Sequence, residues 1–142
     1  MEAYQRFRER LLRHIRIEER ILLPMAERKR GAALSLAARL RLDHGALAAL
    51  LMLPPVDPAF RAIRAVLDAH NPLEEAEHGV YEECESLGGS DITEVLAQIA
   101  ATPRVPVSSW VDSPKIVAAA QRALVRAGHD PALLELTDIG RR

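Results

Sequence analysis

The chain has 142 residues with 19 Lys and Arg against 20 Asp and Glu, a formal net charge of -1; the length fits one domain with its own core, and the charge balance excludes an electrostatic draw toward nucleic acid or anionic lipid. The single cysteine, Cys84, rules out an internal disulfide framework, and no apolar run approaches the roughly 18 to 20 residues that span a bilayer. The start MEAYQRFRERLLRHIR is charged and amphipathic rather than a secretory signal, so a cytoplasmic location is expected.

Residues 2 to 29 lack glycine and carry one late proline, Pro24; Tyr4, Phe7, Leu11, Ile21 and Met25 recur at helical spacing. The alternation places His14 and Glu18 in the seam between Leu11 and Ile21, facing the core. A second helix is predicted from about Ala32 to Met52, ended by Pro54-Pro55, with His44 in mid-seam between Leu40 and Leu47. A third starts at Asp57-Pro58 and runs through Phe60, Ile63, Leu67, His70, Glu74, Glu77 and Tyr81 toward the Gly88-Gly89 stop. Pro72 is expected to kink this helix, and Asn71-Pro72-x-Glu74 reads as a restart that would spoil the spacing of His70 and Glu74.

Ser90 or Asp91 opens a short helix through about Ala101, followed by an extended connection, TPRVPVSSWVDSP, with Trp110 anchoring it. Ser113-Pro114 caps a helix ended by Gly128, and HDPALLELTDIGRR makes a last short turn or tail. The fold class is all-α, an antiparallel bundle with short connections: a core over 1–88 and a helical extension over 89–142 that is a candidate to complete the bundle.

Residues four apart on a helix share a face, so His14/Glu18 and His70/Glu74 are each a two-pronged clamp, with His44 supplied by the helix between them. A buried carboxylate requires protonation, a cationic partner or a metal. Two such pairs in one small core favour the metal. Imidazole and carboxylate donors without thiolate suit iron or manganese, with zinc open, and carboxylates from two helices suit a dinuclear centre. The order His before Glu, at spacing four, differs from the Glu-x-x-His of ferritin-like sites.

The strings HIRIEERILLP (14–24), DHGALAALL (43–51) and HNPLEEAEHGVY (70–81) together resemble the hemerythrin-like, or HHE cation-binding, family. The resemblance covers residues 1 to about 85. It implies a four-helix bundle around a non-haem di-iron centre that binds or senses oxygen, peroxide or iron. The matching positions are His14, Glu18, His44, His70 and Glu74; by resemblance the glutamates bridge and the histidines are terminal ligands. The family's first helix, with its lone His, has no counterpart before His14. The C-terminal helices or a second copy of the chain are candidates for that wall, and Glu77 is a better candidate for an extra ligand than His78 or His129.

Leu11, Leu40, Leu47, Leu67 and Tyr81 are expected to line a dry pocket suited to a small ligand such as oxygen or peroxide. Two other functions stay open: a metal-free helical module that dimerises through its apolar flank, and a di-iron oxidase or peroxidase. The bland alternative for each His/Glu pair is a solvent-facing position on a Glu-rich helix, as expected for Glu19 and Glu75. Cys84 reads as a small buried side chain rather than a redox centre.

Overall fold

A computed structural model describes residues 1–135, and within them the chain is all-helical. The end of the expected tail, residues 136–142, lies outside the described residues. The elements are α1 (Glu2–Ile17), a π-helical turn (Glu18–Leu22), α2 (Leu23–Arg30), α3 (Ala37–Leu50), α4 (Asp57–Glu75), α5 (Val80–Gly88), α6 (Ile92–Ala101) and α7 (Pro114–Arg126), with 3-10 turns at Gly89–Asp91 and Pro131–Leu134.

The long first helix runs as expected but widens in its middle. Pro24 has no N–H for the carbonyl of Arg20, and its ring presses on that turn. The chain answers with a π turn, in which the N–H of Leu23 reaches back five residues to the carbonyl of Glu18. Gly31, at φ 78, then closes α2 by donating its N–H to Glu27 at 2.8 Å. α3 starts at Ala37 rather than near Ala32, because the left-handed Gly31 and the bond from Arg30 Nη1 to the Ala33 carbonyl (2.6 Å) hold the intervening residues in a turn.

The third helix departs further from expectation. α4 runs straight through Pro72, and Ala76 N–H still reaches the Pro72 carbonyl at 3.1 Å. The carbonyl robbed of its donor belongs to Asp68, on the exposed side of the helix where water can serve it. The break comes at 76–79 instead, where His78 takes φ 62 and its N–H bonds Glu82 Oε2 at 2.9 Å. Gly79 is required there by space: a Cβ would stand 2.7 Å from the carbonyl oxygens of both Ala76 and Glu74.

The described chain divides into two compact units. The first comprises Met1–Arg41 with His70–Val107, the second Leu42–Ala69 with the residues from Ser108 onward. α6, beyond residue 88, thus belongs with the first unit. There α2 packs on α5, and α6 packs on α5 and on the π turn. Their shared core is Leu23, Met25, Ala26, Leu34, Ala37, Leu40, Val80, Cys84 and Val95; each large side chain among them contributes about 1.5–3 kcal/mol by leaving water. In the second unit Val111 N–H bonds the Met52 carbonyl at 2.8 Å, tying the connection to the end of α3, while α7 packs on the 3-10 turn at Pro131–Leu134. Ser113 Oγ caps α7 by accepting from Lys115 N–H.

The expected seam residues Phe7 and Phe60 lie open, 38% and 41% exposed. On α1 the buried stripe passes through Tyr4 and Arg8. Residues three and four apart lie on opposite sides of the axial line, so Phe7 falls off the stripe that Arg8 joins. No helix of the described residues is long and apolar enough to cross a membrane.

Candidate metal centre

The widened π turn begins at Glu18, whose side chain is turned inward and 3% exposed. A π turn interrupts the regular i→i−4 ladder, and such turns are frequent at functional sites. On α4 the helix survives Pro72, so His70 and Glu74 keep the spacing that aims both at one place: His70 Nε2 lies 2.9 Å from Glu74 Oε1, with both side chains buried. Within the first unit, Glu18, His70 and Glu74 form one buried group. Each offers a nitrogen or carboxylate oxygen, and these atoms all lie within 4.8 Å of one another. Opposed ligands of a single ion, at bond lengths of about 2.0–2.2 Å, stand up to about 4.4 Å apart. The grouping is of the size a cation needs.

The carboxylates carry the electrostatic signature of that grouping. Glu74 is pushed above the usual carboxylate range, first by burial and then by its hydrogen bond and charge interaction with Glu18, while His70 pulls the other way. Two carboxyl groups in contact raise one another's cost of ionisation, a cost that a cation between them would relieve. Glu74 Oε2 is buried and has no hydrogen-bond partner, an open acceptor in an interior that ordinarily leaves few unfilled.

His14 stands apart from this buried group. Its side chain is 51% exposed, with Nε2 2.7 Å from Glu18 Oε1 and 3.0 Å from the Tyr81 hydroxyl. Tyr81 donates its phenol proton to the same Glu18 oxygen, leaving the imidazole Nε2–H as donor to both oxygens. The hydrogen bond with Glu18 raises the His14 pKa, against the opposing pull of partial burial. Tyr81 is itself raised well above the ordinary phenol, first by burial and then by its bond to Glu18.

The other expected participants are placed elsewhere. Glu77 and His78 are thrown outward by the break at 76–79, with side chains 85% and 83% exposed; the continuous seam that recommended Glu77 ends before it. His129 pairs with the buried Asp43 at 2.9 Å. Leu40 and Leu47 are buried, whereas Leu11 and Leu67 are only partly so. Glu75 is exposed as expected, Glu19 half-buried. Sequence reasoning took Tyr81 for its ring alone and missed its hydroxyl. A phenol predicted to face a buried carboxylate was the available signal, because such a hydroxyl seeks a partner.

The described residues are thus all-helical, and the first unit buries an imidazole, that of His70, with the carboxyl groups of Glu18 and Glu74. Comparison with protein-family models, curated proteins and solved structures finds no match for this chain.

Proposed function

We propose that this chain is a hemerythrin-like, four-helix-bundle protein that binds non-haem iron through Glu18, His44, His70 and Glu74, with His14 at the rim. The observation that carries the reading is the buried group of His70 with Glu18 and Glu74, in which Oε2 of Glu74 lacks any partner. The donor set fits the ion: imidazole with carboxylate suits iron or manganese, zinc is the further candidate, and the absence of thiolate disfavours softer ions. Iron held there would supply reversible binding or sensing of oxygen or peroxide. The chain's own residues contribute the negative charge of Glu18 and Glu74 and the Tyr81 hydroxyl that orients Glu18.

A second reading has its own support. Tyr81 and His14 already satisfy one oxygen of Glu18, which is what a metal-free helical module would need. Anaerobic loading with ferrous iron, followed by metal content per chain and the visible spectrum in air, separates the two. Retained iron, lost in His44→Ala and Glu74→Ala, is the expected result, with a content near two marking a di-iron centre. A wild-type chain that emerges free of iron, manganese and zinc would leave the module.

A further inference from the structure

The first unit carries a second feature that the metal centre does not use. A cavity of about 330 Å³ is lined by Arg6, Arg10 and Arg13 of α1, by Arg104 of the segment after α6, and by Glu9. Four arginines and one glutamate therefore line it, on a chain whose formal net charge is -1. Positions 6, 10 and 13 fall on one helical stripe, where like charges repel unless an anion sits among them.

One corner of the arrangement is anchored by hydrogen bonds. Arg13 donates from Nε to the Thr102 carbonyl (3.0 Å) and from Nη2 to the Ile99 carbonyl (2.9 Å), stitching the end of α6 to α1. That stitch brings Arg104 beside α1, where Nη2 meets Glu9 Oε2 at 2.5 Å. Arg6 is engaged by the exposed Glu2, and Arg10 makes no hydrogen bond within the described residues. Guanidinium groups keep their charge at every physiological pH and present N–H pairs that match phosphate oxygens. The volume lies at the small end of ligand pockets.

We infer that this pocket binds a small soluble molecule bearing two linked phosphates, with Arg10 and Arg104 as its principal contacts. Nothing in the inference depends on the metal centre, so it is tested on metal-free protein, where the probe cannot act by stripping iron. The probe is inorganic pyrophosphate, titrated calorimetrically at low ionic strength. Saturable binding of one pyrophosphate per chain is expected, weakening as salt is added. Arg10→Gln and Arg104→Gln each weaken it about tenfold while the far-UV circular dichroism melt is retained. Arg126→Gln, on α7 outside the pocket, leaves it unchanged. Orthophosphate binds more weakly than pyrophosphate. Absence of saturable binding, equal affinity for orthophosphate, or equal weakening by Arg126→Gln would each overturn the proposal.

Discussion

The hydroxyl of Tyr81 donates to Oε1 of Glu18, fastening the start of α5 to the π turn that follows α1. The same oxygen receives His14 Nε2 at 2.7 Å, so one buried carboxylate is held by a phenol from inside and by an imidazole at the surface. Removing the phenol oxygen strips a charge-assisted bond from a buried acceptor. Tyr81→Phe should lower the stability of the metal-free protein by about 1–3 kcal/mol in urea unfolding. Under the proposed assignment it should keep most of any metal bound, because Tyr81 touches Glu18 without belonging to the buried group; loss of all metal would contradict that role.

Metal content should fall in a graded order. Glu74→Ala removes a member of the buried group and His44→Ala a proposed ligand, and each should abolish tight binding if the proposed assignment holds. His14→Ala removes a half-exposed partner of Glu18 and should weaken retention about 10–100-fold, the usual effect of losing a group that orients a ligand. His129→Ala should leave metal content intact, because His129 is paired with Asp43. Equal loss in all four variants, measured as metal per chain after dialysis, would refute the assignment.

How far the sequence foretold these residues depends on what kind of force decides each. The inward turn of Glu18, His70 and Glu74 was legible because helical spacing is local, whereas His14, placed in the same seam, is half-exposed. The widening at Glu18 follows from Pro24, yet Pro72 leaves α4 an uninterrupted α-helix. A proline's cost depends on whether the carbonyl it orphans meets water or core, and that is a tertiary fact. The turn at 76–79 was illegible for the same reason: Gly79 reads as an ordinary glycine until the carbonyls of Ala76 and Glu74 are seen against it. The arginines of α1 read as a solvated face because the segment carrying Arg104 reaches them only through the stitch by Arg13.

Stability and metal binding should respond to pH in opposite senses. The pKa values of both Glu74 and His14 are raised in the folded chain. A raised pKa means that the folded state holds its proton more tightly, so the stability it confers is full below the unfolded value and is lost as pH rises through the folded one. The metal-free protein should therefore lose Tm as pH rises from about 5 to about 8, with the Glu74 part removed in Glu74→Gln and a small share left to the half-exposed His14. Metal competes with those protons, so the Tm gained on adding iron should grow over the same range. A metal-free Tm that climbs with pH would contradict the raised values.

Cys84 should behave as an inert core thiol. It is 2% exposed, and burial, with the charges of Glu83, Glu18 and Glu74 adding to it, pushes the thiol up to about 11. The thiolate is the reactive form, so at pH 8 both access and ionisation oppose modification. Labelling by a disulfide reagent should proceed only as fast as the chain opens and should accelerate with urea. Immediate reaction in the native protein would show that the core formed with Leu23, Met25 and Val80 is not closed around it.

Gly79 and Gly31 offer a paired test of whether the turn after α4 serves the metal centre or only the fold. Gly31 has φ 78 and open space around the missing Cβ, so Gly31→Ala meets backbone strain alone, about 1–2 kcal/mol. Gly79 has φ -76, which any residue adopts, but its added Cβ would stand 2.7 Å from the Glu74 carbonyl oxygen. Gly79→Ala must push the end of α4 aside, at a similar cost of about 1–3 kcal/mol, and the residue it displaces belongs to the buried group. Both variants should lose comparable Tm, and Gly79→Ala alone should lose metal. Equal metal content in the two, at equal stability, would mean that Glu74 is positioned by His70 and α4 without help from the turn.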